Sequence, residues 1–150
     1  MKTSNTQMKK ICLLTLMALM CVSLAGFSQK KVVTKKSANK TVVEVLYFHG
    51  KQRCPTCIAI GDNSIDVVKK DFAKQVKAGQ VKFKEIDIST PQGEKIADKY
   101  SVTWSSLYLT QWKNGKEKRY DMTRFGFENA RNNTQALRTG LKNKIIQFLK

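Results

Sequence analysis

The sequence predicts an α/β domain of order β-α-β-α-β-β-α, with helices on both faces of a central mixed four-stranded sheet. Three observations support this prediction. Val42–Phe48 is an almost continuous apolar run, which is typical of a strand buried on both faces. After Cys57 the apolar residues recur at helical spacing. Further along, Asn114-Gly115 separates two strand-like runs, which indicates a hairpin.

The amino-terminal segment has the pattern of a secretory signal peptide, which we place at residues 1–28. Lys9 and Lys10 precede an apolar run, and small residues follow it. The run is about fifteen residues long, shorter than the roughly 20 that cross a bilayer. We therefore expect an exported protein, periplasmic or secreted, with no transmembrane segment after signal cleavage.

The remaining chain is expected to form a lead-in and one domain. Residues 29–40 are basic and poor in core-forming side chains, which is typical of a flexible segment. Residues 41–150 suffice for one core. The precursor carries a formal net charge of +17, with lysines in nearly every segment. We interpret this charge as a solvated basic surface, with an anionic lipid or an acidic partner as the alternative, and expect no nucleic-acid ligand.

The first helix is expected to cover the sheet and to end at Gly79. Its apolar stripe consists of Ile65, Val68, Phe72 and Val76. The polar run Gly61-Asp62-Asn63 interrupts the stripe and predicts a kink or a restart, with Asp62 or Asn63 as a cap. In the second strand, the apolar phase shifts between Phe83 and Ile86, which predicts a bulge near Lys84-Glu85.

The second half of the chain carries clear local signals. Thr90-Pro91 predicts the cap and first turn of a helix that runs to about Tyr100. Because a helix joins the first two strands, we expect them to be parallel, and the hairpin strands to be antiparallel. A last helix begins at 132–134, and we expect it to cover the sheet face opposite the first helix.

Cys54-Pro55-Thr56-Cys57 is the candidate site, since the protein without its signal has no other cysteine. A disulfide between cysteines three residues apart closes too small a loop to stabilise a fold, so we predict a chemical use. Cys54 lies where helix N–H groups stabilise a thiolate, and Lys51 and Arg53 add positive charge. Cys54 is therefore predicted to attack a disulfide, and Cys57 to resolve the mixed intermediate.

Other interpretations of the motif stay open. A structural zinc ion takes four ligands, and the two cysteines with His49 are too few, so no metal is predicted. The pair could form an inert local disulfide, or bind a soft metalloid such as trivalent arsenic. His49, the single histidine, is either a proton shuttle or a residue that ends the strand with a satisfied hydrogen bond.

The motif and its surroundings resemble the thioredoxin superfamily. The shared features occur in the same order along residues 41–150: the buried strand, the dithiol, Ile86-Asp87-Ile88, the run 97–102 and the turn 113–115. This resemblance implies a thioredoxin-like fold and a redox-active Cys54–Cys57 disulfide without another cofactor. Its partners would be protein thiols or disulfides, or an electron-donor protein.

Three segments are similar to a narrower family, the exported Bacteroidetes-type proteins described as a nitrophenyl compound nitroreductase subunit, ArsF. They are residues 44–54, 102–107 and 127–131. The similarity implies a redox or metalloid context, with arsenite or a nitroreductase-type protein as partner.

The chain departs from thioredoxins around the dithiol. The thioredoxin cis-proline aligns with Ser106 or Ser105, so a trans peptide is expected, because a cis bond costs about 2.5–4 kcal/mol here. Tyr47 stands where thioredoxins have a buried acid, and Arg53 replaces a tryptophan. The residues expected to shape the groove or tune the dithiol are Lys51, Arg53, Pro55, Thr56, Trp104, Ser105 and Ser106.

Two functions follow from these predictions. The first is an extracytoplasmic thiol-disulfide oxidoreductase in which Cys54 attacks and Cys57 resolves. The second is a binding or accessory subunit, which holds arsenite or a metal through the dithiol, or docks to a redox partner without turnover. The absence of the cis-proline and the absence of the buried acid both favour this second function.

Overall fold

The structure, a computed structural model, describes residues 40–150. The predicted signal peptide and residues 29–39 of the lead-in lie outside this range. None of the helices in the described range is long and apolar enough to span a bilayer.

In the described part of the chain, four strands form one mixed sheet in the order β2-β1-β3-β4. Their bounds are β1 Val42–His49, β2 Val81–Asp87, β3 Ser106–Lys113 and β4 Lys116–Asp121. β1 pairs with β2 in parallel and with β3 antiparallel, and β3 pairs antiparallel with β4. The interior strand β1 is buried on both faces, as its continuous apolar run predicts.

Within residues 40–150, five helices flank the sheet. They are α1 Pro55–Asp71, α2 Ala73–Lys77, α3 Pro91–Tyr100, α4 Thr123–Asn129 and α5 Thr134–Leu149. The α/β architecture with helices on both faces of a mixed four-stranded sheet is confirmed, and the fold is thioredoxin-like. The short helices α2 and α4 are additions to the predicted element order.

Two apolar layers hold the helices against the sheet. On one face Val43, Val45 and Tyr47 pack with residues of α1 and α5, including Ile60 and Leu141. On the other face a smaller cluster joins β1 and β2 to α3; it contains Leu46, Phe48, Ile86, Ala97 and Val102. The expectation that the last helix covers the face opposite the first is wrong, because α5 shares a core with α1. Within the described residues, the helix on the second face is α3.

Helix α1 is continuous through Gly61, so the predicted kink is wrong and neither Asp62 nor Asn63 caps a helix start. The chain leaves the helix at Phe72 instead, and α2 follows. Gly61 has a packing role, since a Cβ there would lie 2.6 Å from Cε1 of the buried Tyr47 ring. The interruption in the apolar pattern therefore marks a close contact between α1 and β1.

The predicted bulge at Lys84-Glu85 is also wrong. The ladder between β1 and β2 runs unbroken from Val43 opposite Val81 to His49 opposite Asp87. Val81 and Phe83 pack in the layer with α1, whereas Ile86 packs in the layer with α3. The phase shift arises because β2 contributes to both layers in turn.

Local signals in the second half of the chain are confirmed. The Thr90 side chain accepts a hydrogen bond from the Gly93 N–H at 3.1 Å, which caps α3. Asn114 and Gly115 have φ values of 54° and 74°, the left-handed conformation that a tight hairpin turn requires. At the start of α5, the side chain of Asn133 caps the helix.

Both edge strands carry charged side chains. In β2 the exposed charged residues are Lys82, Lys84 and Glu85, and in β4 they include Lys116, Lys118 and Arg119. Lys84 forms an ion pair with Glu44 of β1 at 2.8 Å.

Candidate functional site

The structure places the dithiol where β1 is followed by α1. Cys54 is the N-cap residue of α1 and is exposed, whereas Cys57 lies in the first turn and is 7% exposed. The two form a disulfide, with Cα atoms 5.0 Å apart. The Cys57 backbone N–H donates a hydrogen bond to Cys54 Sγ at 3.1 Å.

This geometry makes the two sulfurs unequal. A partner can approach the exposed Cys54, and the N–H bond together with the helix dipole stabilises negative charge on its sulfur. Cys57 is shielded by its burial but lies within covalent reach of Cys54. The arrangement suits one attacking sulfur and one resolving sulfur.

Tyr47 lies beneath the dithiol and is fully buried. Its hydroxyl donates a hydrogen bond to the Cys57 carbonyl oxygen at 2.6 Å. Burial raises the pKa of Tyr47 above its ordinary value, although the nearby Arg53 opposes the shift. The phenol therefore keeps its proton at neutral pH and acts as a hydrogen-bond donor.

Arg53 connects this tyrosine to the second strand. Its guanidinium carbon lies 5.3 Å from the Tyr47 ring centroid, and its Nη1 donates to Glu85 Oε1 at 2.9 Å. The parallel register sets Glu85 directly opposite Tyr47, so the contact follows from the pairing of β1 with β2. The Arg53 Nε is buried and has no hydrogen-bond partner.

His49 faces the same carboxylate. Its Nε2 lies 3.4 Å from Glu85 Oε1, and its Nδ1 lies 2.9 Å from the Gly50 carbonyl oxygen. Because a carbonyl only accepts, the Nδ1 must carry the proton of that bond. His49 thus ends β1 in a hydrogen bond, and its use as a proton shuttle stays a prediction.

The segment 104–106 lies at the same end of the sheet as the dithiol, because Ser106 pairs with Phe48 near the end of β1. The Trp104 side chain is 60% exposed and stacks on Phe127, with ring centroids 5.3 Å apart. Ser105 and Ser106 are buried, and the Ser106 hydroxyl donates to the Trp104 carbonyl oxygen at 3.1 Å. The peptides of residues 40–150 are all trans, as expected at this position.

Trp104 and Ser106 also line a cavity of about 500 Å³. Its other lining residues are Ser101, Val102, Tyr108, Asp121, Thr123, Arg124, Phe127 and Glu128. The cavity does not include the dithiol residues.

The remaining predicted residues lie close to the dithiol in the chain. Lys51 and Pro55 are exposed, and Thr56 is half-buried. Within residues 40–150, no group of three or more His, Cys, Asp or Glu side chains is placed to hold a metal ion.

Sequence reasoning missed Glu85 as part of the site. It lies 32 residues from Arg53 in the sequence, and its contact with Arg53 depends on the register between β1 and β2. The available signal was the parallel pairing itself, which brings the carboxyl ends of both strands to one edge of the sheet.

No protein-family model matches the chain, and no curated protein matches it. Among solved structures, the chain is similar to one described as a malarial protein, at 25% identity and a TM-score of 0.39, covering 66% of this chain and 96% of that one. It is also similar to a thioredoxin from Thermus thermophilus, at 21% identity and a TM-score of 0.40, covering 66% of this chain and 73% of that one.

Proposed function

We propose that the protein is a thiol-disulfide oxidoreductase in which Cys54 and Cys57 exchange electrons with a partner's thiols or disulfide. The supporting observation is the pairing of an exposed N-cap sulfur with a shielded sulfur in one disulfide at the start of α1. A disulfide that closes so short a loop does little to stabilise the fold, which favours a chemical role.

The reaction balances in two exchange steps. In the reduced protein, the Cys54 thiolate attacks one sulfur of the partner disulfide, and the other partner sulfur leaves as a thiolate that takes up a proton. Cys57 then loses its proton to solvent and attacks Cys54. The Cys54–Cys57 disulfide forms, the second partner sulfur leaves, and the partner has gained two electrons. A partner protein with two thiols restores the Cys54–Cys57 dithiol by the reverse steps, and its own two thiols are oxidised to a disulfide.

The trapping of a mixed disulfide tests this proposal. The reduced Cys57→Ser variant should accumulate a covalent adduct with a fluorescent disulfide-bonded peptide, because the second step is lost. Cys54→Ser, the matched control, should form far less adduct, since the shielded Cys57 would have to attack. Non-reducing gels with mass spectrometry measure both. Equal adducts in the two variants, or none, would reject the assignment.

We propose further that the protein works outside the cytoplasm, in the redox or metalloid context of ArsF-type proteins. The support is the signal-peptide pattern at residues 1–28 and the similarity of residues 44–54, 102–107 and 127–131 to that family. Arsenite or a nitroreductase-type protein would then be a partner.

The buried phenol of Tyr47 favours a second candidate, an arsenite-binding or accessory subunit without turnover. In place of the acid that accepts a proton in thioredoxins, this chain carries a group that keeps its own proton. Titration of reduced protein with arsenite is a second arm of the trapping experiment. Arsenite binding that needs both cysteines, together with an absence of trapped peptide, would select this candidate. If the protein neither binds arsenite nor traps the peptide, the remaining candidate is an accessory subunit that docks to a redox partner.

A further inference from the structure

We propose that Glu85 is a positioning residue for the dithiol: its carboxylate holds the Arg53 guanidinium over Tyr47 and compensates its charge, and so limits how readily Cys54 ionises. The inference rests on the proposed function only in taking Cys54 as the attacking thiol. Neither Glu85 nor its contact with Arg53 follows from the Cys-x-x-Cys motif.

The contacts fix Arg53 on several sides. Its Nη1 is bonded to Glu85 at 2.9 Å, its guanidinium lies over the Tyr47 ring, and Nη2 lies against α1 at Gly61. The Arg53 side chain is only 26% exposed, and its Nε is buried without a partner. The Glu85 carboxylate is thus the anion that holds the charged end of this side chain.

Arg53 is also the residue directly before Cys54, so its charge acts on the attacking sulfur. An unpaired cation there would stabilise the Cys54 thiolate, but one paired with a carboxylate does so far less. The ion pair therefore moderates the acidity of Cys54 while keeping the guanidinium in place.

Other charged residues lie on the elements that neighbour the Arg53–Glu85 ion pair. His49 approaches from β1, Lys51 lies in the loop before the dithiol, Asp62 is on α1 and Asp87 ends β2. Asp87 is already bonded to the backbone and hydroxyl of Ser89, at 2.9 and 2.6 Å. Of these groups, only His49 also lies within ion-pair distance of Glu85.

The variant Glu85→Gln tests the proposal, because the amide oxygen can still accept from Arg53 while the negative charge is gone. The pH dependence of iodoacetamide alkylation of the reduced full chain, with Cys54 identified in its peptide by mass spectrometry, measures the ionisation. We expect the midpoint in Glu85→Gln to fall by about half a pH unit, roughly threefold more thiolate at a fixed pH. Arg53→Gln should move the midpoint upward, and the double variant should lie near the unmodified protein.

Asp71→Asn provides the matched control, since it removes one carboxylate at the far end of α1, about 25 Å away. It should leave the midpoint unchanged. A midpoint in Glu85→Gln equal to this control, or shifted upward, would overturn the proposal, as would shifts of the same sign in Glu85→Gln and Arg53→Gln. The measurement needs no disulfide substrate, so it stands apart from the trapping result.

Discussion

Tyr47 shows how a single residue can change the character of a dithiol site. Its hydroxyl donates a hydrogen bond to the Cys57 carbonyl oxygen, and the Arg53 guanidinium lies over its ring. A carboxylate in this position could take up a proton from Cys57, whereas the Tyr47 phenol, with its raised pKa, keeps its own proton and donates it to the Cys57 carbonyl oxygen in a hydrogen bond. The residue therefore anchors the start of α1 to the centre of the sheet.

Replacement of Tyr47 by Phe should destabilise the oxidised protein by about 1 kcal/mol, because a buried hydrogen bond is lost while the ring remains. Urea unfolding measures the change. Tyr120→Phe is a suitable control, since this exposed tyrosine lies on the edge strand β4, and it should change stability by less than about 0.5 kcal/mol. Equal losses in the two variants would show that the bond to Cys57 contributes nothing.

Sequence reasoning located the cysteines, Arg53 and the 104–106 segment, because each belongs to a local motif or a resemblance. It did not find Glu85, whose place in the site depends on strand register. Interactions between distant segments are set by how the strands pair and not by neighbours in the chain. For the same reason, the sequence indicated that Tyr47 replaces the buried acid of thioredoxins, but it did not indicate the hydrogen bond from Tyr47 to the Cys57 carbonyl.

Among the elements, α1 carries the dithiol at one end, and its placement depends on close contact with β1. Gly61 is the residue that permits this contact. In the middle of a helix, glycine ordinarily costs about 1 kcal/mol relative to alanine. Its presence here is explained by the lack of space beside the Tyr47 ring.

We expect Gly61→Ala to destabilise the protein by about 2 kcal/mol, because the added methyl group overlaps a buried ring and this outweighs the gain in helix propensity. Gly126→Ala is the matched control: its Cβ would lie 3.4 Å from Ile60 Cδ1, an ordinary contact. Thermal unfolding should show a lowered midpoint for the first variant only. An unchanged or raised midpoint for Gly61→Ala would contradict the packing argument.

Elements with strong local signals were predicted well, and those with ambiguous patterns were not. The cap at Thr90 and the turn at Asn114-Gly115 depend on residues within a few positions of each other. The apolar phase shift in β2 had two explanations, a bulge or two separate cores, and only the three-dimensional arrangement distinguishes them. Helix α4 was missed because its seven residues are too few to show a helical period.

For the molecule as a whole, three tyrosines link stability to alkaline pH. The pKa values of Tyr47, Tyr100 and Tyr108 are all raised, chiefly by burial. Glu117 raises the pKa of Tyr100 further, and Asp121 that of Tyr108. Above pH 10 the unfolded chain loses these protons while the folded protein keeps them, so the folded state binds more protons and its stability must fall as pH rises.

The free energy of unfolding should therefore decrease between pH 9 and pH 11, values chosen roughly one unit on either side of the ordinary tyrosine pKa of about 10. Urea unfolding at each pH measures this loss. The variant Tyr100→Phe should lose less stability over the same interval, because one group with a raised pKa is gone. An identical loss in the variant would exclude Tyr100 as a contributor.

The charged side chains on the edge strands β2 and β4 affect whether copies of this protein can pair through their sheets. An edge strand has unpaired backbone N–H and C=O groups that can pair with an edge strand of another copy. Such pairing is the first step of fibre growth. Here each edge strand presents lysines to an approaching copy, and pairing of two such strands would place charged side chains in the new contact. Pairing of copies through their edge strands is thereby disfavoured, although the dithiol end of the sheet stays open to other molecules.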